Sequence, residues 1–267
     1  MIKICTIDLD GTLYDQQKNI SKENKKAIAL AIEKGCKIVL ASGRPANGVQ
    51  TALETLDLFK EDDYVICYNG AKIVNTKKNQ AIYTSTISGK VVKEAYLESK
   101  RLGLFFHAFR ADEQLITDQM NPYTDVEINI NHIQAIVLDP MTIADDDEFL
   151  KCMIVGPEDG ITHAMKQLNP YFFKHYSVVR SSKIFLEILN PKTNKGTALV
   201  ALAQYLHIPM TKTMAIGDAG NDLEMILKAH VGVAMENSFE EVKKAANYIT
   251  ASNEDSGVAK AIHQFIL

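Results

Sequence analysis

Residues 2–15 read IKICTIDLDGTLYD. The run from Ile2 to Ile7 is largely apolar, as a strand buried on both faces is, and it stops on Asp8, Leu9 and Asp10 before a Gly11-Thr12 turn. Side chains on a strand alternate faces, so Asp8 and Asp10 point the same way. Two carboxylates that close repel and raise each other's pKa unless something positive joins them. A buried strand ending this way predicts a site at its tip, and the rest of the chain must supply the positive charge.

Outward from this stretch, strand and helix signals alternate at both ends of the chain. Residues 21–34 have helical character, CKIVLAS (36–42) is a short apolar strand, 45–58 a helix and YVICYNG (64–70) a third strand. In KGTALVALAQYL (195–206) apolar residues recur at 198, 199, 202, 205 and 206, which is helical spacing. A strand over 212–217, a helix over 221–229, a strand over 231–235, a helix over 239–246, a strand over 247–250 and a final helix follow. Such alternation predicts an α/β fold with a doubly wound, Rossmann-like parallel sheet and right-handed crossovers. The pattern breaks over 82–188. There the sequence predicts a helix at 88–101, a hairpin-like pair in LFFHAFRADEQLIT (104–117), a solvated acidic loop in DPMTIADDDE (139–148), and strands at 149–155, 177–180 and 184–189. The expected organisation is a core of 1–81 and 189–267 interrupted by an α+β domain of 82–188.

Composition narrows the classes. The chain has 267 residues, 46% hydrophobic and 23% charged, and a net charge of −4 with Lys and Arg scattered, which argues against nucleic acid as a partner. No apolar stretch approaches the roughly 20 residues of a membrane span, and the first residues enter a strand at once, so neither a membrane segment nor a signal peptide is expected. Cys5, Cys36, Cys67 and Cys152 form no C-x-x-C pair and read as reduced core residues of a cytoplasmic protein.

In an open α/β sheet, ligands bind beyond the carboxyl ends of the strands. This chain places Asp8-Leu9-Asp10-Gly11-Thr12, Ser42-Gly43-Arg44-Pro45, Asn69-Gly70 and Gly217-Asp218-Ala219-Gly220-Asn221-Asp222 there, with Lys195-Gly196 opening a helix. Taken singly, Ser42, Pro45, Asn221 and Asp222 suit ordinary helix starts. Lys195 does not, because a cation at a helix N-terminus opposes the macrodipole. Together the set has chemical sense. Asp8, Asp10 and Asp218 are hard oxygen donors suited to Mg²⁺, while the Ser42 hydroxyl, backbone N–H groups and the Lys195 ammonium suit phosphate oxygens. A carboxylate beside them points to phosphoryl transfer onto Asp.

These motifs, D-L-D-G-T at 8–12, Ser42 in A-S-G-R-P, Lys195 in N-K-G and G-D-A-G-N-D at 217–222, occur in the order of the haloacid dehalogenase superfamily, which the chain resembles along its whole length. N-G-A at 69–71 and the long insertion are similar to the Cof-type branch; the loop N-P-K-T-N before Lys195 departs from that branch, which often has Gly and Ser there. The resemblance implies a Mg²⁺-dependent phosphatase of small phosphorylated metabolites. In it Asp8 is the nucleophile and Asp10 the acid and base. Leu9 and Gly43 N–H, Ser42 and Asn221 hold the phosphoryl oxygens. Lys195 screens Asp8, and Mg²⁺ sits on Asp8, the Asp10 main-chain carbonyl and Asp218. The insertion is then a cap that closes over the site and selects the leaving group. Two rivals stay open. A phosphomutase of the same fold would gather cap cations such as Arg101, Arg110, Arg180 and Lys183, and a non-catalytic phosphometabolite sensor could dispense with Asp10. The aromatic clusters Phe105, Phe106, Phe109 and Tyr171, Phe172, Phe173 read first as core of the insertion.

Overall fold

The computed structural model describes residues 1–267. The chain forms two compact units, Met1–Tyr83 with Asn194–Leu267, and Thr84–Thr193. The first opens with β1 (Ile4–Asp8), α1 (Lys22–Glu33), β2 (Lys37–Ala41), α2 (Ala46–Thr55), β3 (Tyr64–Cys67), β4 (Lys72–Asn75) and β5 (Gln80–Thr84). The second contains β6 (Ile87–Ser88), α3 (Gly89–Arg101), β7 (Phe105–Arg110), β8 (Leu115–Thr117), α4 (Pro122–Asn131), β9 (Ala135–Val137), β10 (Glu148–Val155), α5 (Glu158–Gln167), α6 (Pro170–His175), β11 (Ser177–Ser182) and β12 (Phe185–Leu189). The first unit then resumes with α7 (Lys195–Tyr205), β13 (Thr213–Gly217), α8 (Leu223–Lys228), β14 (Val231–Ala234), α9 (Glu240–Ala245), β15 (Tyr248–Ile249) and α10 (Gly257–Phe265).

The first unit's sheet has the order β15-β14-β13-β1-β2-β3-β4-β5. The six strands from β15 to β3 are parallel, as the alternating pattern predicts. β4 turns back antiparallel to β3, and β5 extends that edge. Between β3 and β4, Tyr68, Asn69 and Gly70 have positive φ, so the strand read from sequence as running to residue 70 in fact reverses there. Every residue of β1 and β13 is buried, because both faces are covered. On one face Ile4, Val39, Ile66 and Ala215 pack with Ala198, Leu199 and Leu202 of α7. Between α1 and α10, the buried Asn24 Oδ1 accepts the Ala259 N–H at 2.9 Å.

From β1 the chain moves to β2 and β3 on one side, and after α7 it fills β13, β14 and β15 on the other. Strand order therefore reverses between β1 and β13, where the carboxyl ends open a crevice. Register pairs Ile7 with Ile216 of β13 and Asp8 with Ala41 of β2, so Asp8, Ser42 and Asp218 leave the sheet at one edge.

The second unit is a separate sheet of order β11-β12-β10-β7-β8-β9, with β6 on β10. Its core sets Phe106, Ile116, Cys152, Ile154, Leu186 and Ile188 against Val92 and Ala95 of α3, Ile161 of α5 and Phe172 of α6. Phe106, Phe109 and Phe172 are buried, whereas Tyr171 and Phe173 are exposed. The acidic stretch is a short 3-10 turn and a loop leading into β10, with Asp145 paired to Lys93 and Asp147 to Arg110. The chain returns to the first unit at Asn194, because Phe185–Leu189 pairs with β10 and β11. No helix is long and apolar enough to cross a membrane, and all four cysteines are buried free thiols.

Candidate active site

Beyond β1 the backbone closes a helical turn, with the N–H of Leu13 shared between the carbonyls of Asp8 (3.2 Å) and Leu9 (3.1 Å) and that of Tyr14 on Leu9 (2.9 Å). Gly11 makes the turn possible twice over. Its φ is +87°, and a Cβ there would lie 2.5 Å from Asp218 Oδ2. Thr12 then donates to Asp218 Oδ1 at 2.7 Å, which ties the end of β1 to the end of β13.

Lys195 opens α7, whose N-cap Asn194 accepts the Thr197 N–H at 2.7 Å. Its side chain is 0% exposed. The ammonium donates to Asp8 Oδ1 at 2.6 Å and Asp222 Oδ1 at 2.7 Å, and this is the positive charge required at the strand tip. Asp222 is equally buried, and its other oxygen accepts the Asp218 and Ala219 N–H groups at 3.0 Å each. That carboxylate therefore shapes the loop after β13 while holding Lys195.

Ser42 is buried at the end of β2, where its Oγ accepts the Arg44 N–H (3.2 Å) and its carbonyl accepts the Asn69 N–H (3.0 Å). Asn69 sits at φ 54°, ψ 29°, a left-handed conformation that Asn tolerates. Its side-chain oxygen accepts from Asn221 Nδ2 at 3.0 Å, so the loops after β3 and β13 meet. The Asp10 carboxylate has a different set of partners: Arg44 Nε donates to its Oδ2 at 2.9 Å, Arg44 Nη2 to its Oδ1 at 2.7 Å, and Lys18 also contacts Oδ1.

Burial, with Asp222 and Asp218 nearby, pushes the Asp8 carboxyl up despite Lys195. Burial and Asp222 likewise push Asp218 up to about 6, against the Thr12 bond and Lys195. Burial alone would raise Asp10, but the Arg44 and Lys18 contacts outweigh it and hold it below its ordinary value. Burial would lower Lys195, but Asp222 and Asp8 override it and hold the ammonium charged.

Asp8, Asp218 and Asp222 each offer a carboxylate oxygen within 4.8 Å of the others. With all three carboxylates ionised, one lysine leaves two negative charges in excess, which a cation would relieve. Asp222 has both oxygens engaged, while Asp8 Oδ2 and Asp218 Oδ2 lie outside the hydrogen bonds described above. Two hard oxygens and a double negative charge fit a small divalent cation.

Of the residues named from sequence, Asp8, Lys195 and Asp218 converge directly, and Ser42 and Asn221 are joined through Asn69. Leu9 is buried in the β1 turn, and Gly43 lies against Asn69, where a Cβ would be 3.1 Å from its Nδ2. Asp10 leaves its carboxylate with Arg44 and Lys18. Asp222, which the resemblance implies orients Lys195 or the metal's waters, does bond Lys195, whereas Arg44, Asn69 and Thr12 stand in the quoted motifs without a role assigned from sequence. An Asn-Gly pair closing an apolar strand was the available signal for Asn69.

Residues 5–262 match the sequence profile of the haloacid dehalogenase-like hydrolases. The chain is 35% identical over 268 residues to YxeH of Bacillus subtilis, covering 100% of this chain and 99% of that protein. It is 31% identical over 273 residues to the 5-amino-6-(5-phospho-D-ribitylamino)uracil phosphatase YcsE of Bacillus subtilis, covering 100% and 96%. A crystal structure of a haloacid dehalogenase-like hydrolase from Bacteroides thetaiotaomicron superposes with a TM-score of 0.85 at 31% identity, over 99% of each chain.

Proposed function

The chain belongs to the haloacid dehalogenase-like hydrolase family, and on that premise we propose that it hydrolyses small phosphate monoesters through phosphorylation of Asp8. One observation carries the reading: a fully buried lysine joins the strand-tip Asp8 to Asp222, with Asp218 beside them. An ion pair buried this completely costs desolvation and is weak support for stability, so its retention argues for chemistry.

Lys195 holds Asp8 in one orientation, favours its ionised form against the effect of burial, and offsets the charge of the incoming phosphate. An Asp8 oxygen bonds to phosphorus as the ester P–O bond breaks, and Asp10, which must take up a proton against the pull of Arg44 and Lys18 for this step, gives that proton to the departing oxygen. Asp10 then takes a proton from water, whose oxygen bonds to phosphorus as the bond to Asp8 breaks, releasing inorganic phosphate. The N–H groups of Leu9 and Gly43, with Ser42 and Asn221, hold the transferring oxygens. Mg²⁺ on Asp8, Asp218 and the Asp10 main-chain carbonyl would neutralise phosphoryl charge. Asp222 positions Lys195 and the loop of Asp218.

The second unit is proposed to select the leaving group. The ribitylamino substrate in the name of YcsE supports phosphorylated polyols or sugars as the substrate class. The mutase alternative needs free cations there, but Arg101 is paired with Glu98, Arg110 with Asp147 and Lys183 with Glu158, while Arg180 donates to the carbonyls of Ser182 and Lys183. The test is direct. Acid quenching during turnover of p-nitrophenyl phosphate should leave phosphate on the peptide containing Asp8. Asp8→Asn should release none from any ester, and chelation should abolish turnover until Mg²⁺ is restored. Label on another residue, or full turnover by Asp8→Asn, would sink the reading.

A further inference from the structure

Asp10 is the proton carrier in the proposed reaction, yet its carboxylate is not held by the cluster that holds Asp8. Its side chain is 40% exposed, and an aspartate so placed rotates freely unless something restrains it. The restraint is a two-pronged fork, Nε on one oxygen and Nη2 on the other, from an arginine whose own backbone is fixed. The Arg44 N–H rests on Ser42 Oγ, its carbonyl accepts the Tyr68 N–H at 3.1 Å, and its Nη1 reaches the Gly48 carbonyl at 3.4 Å. A planar guanidinium in bidentate contact fixes the plane of a carboxylate as well as its place, which a single ammonium does not. Lys18 makes one contact from a side chain that is 59% exposed, so it adds charge without fixing orientation.

We propose that Arg44 is a positioning residue for proton transfer, aiming the Asp10 carboxylate at the ester oxygen and then at water, and acting on the reaction only through Asp10. The proposal rests on the reading of Asp10 as proton carrier. It assigns Arg44 no contact with the phosphoryl group, although the residue lies two positions from Ser42. Proton transfer depends steeply on geometry, so loss of the fork removes much of the benefit while leaving the group itself in place.

Acting through a second residue has a signature that a general structural role lacks. Single-turnover phosphorylation would be measured with a sugar phosphate, whose alkoxide needs the proton, and with p-nitrophenyl phosphate, whose phenolate does not. The proteins are the parent, Arg44→Ala, Arg44→Lys, Asp10→Asn and the Asp10→Asn/Arg44→Ala double variant, with urea midpoints recorded for each. Arg44→Ala should slow the sugar phosphate by ~10–100-fold, part of the 10²–10⁴ that acid–base assistance supplies. It should slow the nitrophenyl ester far less, and Arg44→Lys should recover little. The double variant should be no slower than Asp10→Asn, because Arg44 has nothing left to aim. Inhibition by inorganic phosphate should be unchanged in Arg44→Ala. If the two losses multiply in the double variant, or phosphate inhibition weakens, Arg44 contacts the phosphoryl group and the proposal fails alone. If Asp10→Asn shows no leaving-group bias, the reading of Asp10 fails and takes the proposal with it.

Discussion

Lys195 stands where the macrodipole disfavours a cation, and two buried carboxylates override that preference. Removing one partner from a buried set exposes the others to uncompensated charge. Lys195→Met should abolish turnover and lower unfolding free energy by about 3–5 kcal/mol, read from urea titration. Wild-type stability in that variant would show that Asp8 and Asp222 do not depend on the lysine. His107 provides a residue-scale test in the second unit. His107 is buried, with Nδ1 3.1 Å from Thr124 Oγ1, which also accepts from Asn121 Nδ2 at 2.8 Å, and Nε2 3.2 Å from Met153 Sδ. Burial, and secondarily Lys151, hold this ring's pKa down to about 3. An unfolded histidine takes a proton below ~6.5, so between about 6.5 and 3 the unfolded chain binds more protons and stability falls as pH falls. The urea midpoint should therefore drop more steeply from about pH 7 to about pH 4 in the parent than in His107→Gln; equal slopes would contradict that lowered pKa. Much of the site was legible at this scale because Asp8, Ser42, Lys195 and Asp218 each sit in a contiguous motif. Their partners were not. Nothing local says that Asp10 faces Arg44 or that Asn221 reaches Asn69, since those meetings depend on which strands are neighbours.

The element that brings most of the candidate site into fewest residues is the turn after β1. Gly11→Ala meets two obstacles at once, a positive φ and the Asp218 carboxylate. The conformational penalty alone is ~1–2 kcal/mol, and displacing Asp218 should also weaken binding of the proposed Mg²⁺. Expected together are a lower urea midpoint and a higher Mg²⁺ requirement for turnover; a variant with unchanged Mg²⁺ titration would show that the turn tolerates a side chain. Elements were legible in proportion to their burial. The apolar strands β1, β2, β3 and β13 declare themselves by composition. The β4–β5 hairpin does not, because NTKKNQ between its apolar residues is polar, its turn uses Asn79 at φ 50° in place of an Asn-Gly pair, and β5 is half-exposed. Helices α4, α5 and α6 leave little trace in the sequence: α5 carries Gly160 in its first turn, and α6 has only six residues. The helix expected over 221–229 proved to be a 3-10 turn at Gly220–Asp222 followed by α8, with Asp222 at the join.

At the scale of the whole molecule, the α/β architecture and the inserted second sheet followed from where the strand–helix alternation stops. Each unit has its own apolar core. Replacing Thr84–Thr193 by a short Gly/Ser linker should therefore leave a chain that unfolds cooperatively. Hydrolysis of p-nitrophenyl phosphate should persist in it while the parent's ranking of natural esters is lost; an unchanged ranking would place selectivity in the first unit. The pairing of β1 with β13 carries a further consequence for how the protein is made. Ile4 finds Thr213 only after most of the chain has left the ribosome, on the order of 10–40 s later at roughly 5–20 residues per second. Throughout that interval β1, β2 and β3 can pair, but the far edge of β1 is bare, a row of unpaired backbone groups in a largely apolar strand. The second sheet, contiguous in sequence, is synthesised and free to fold within the same wait. The amino-terminal strands of a newborn chain therefore stay open to edge-to-edge association until β13 emerges and closes beside β1.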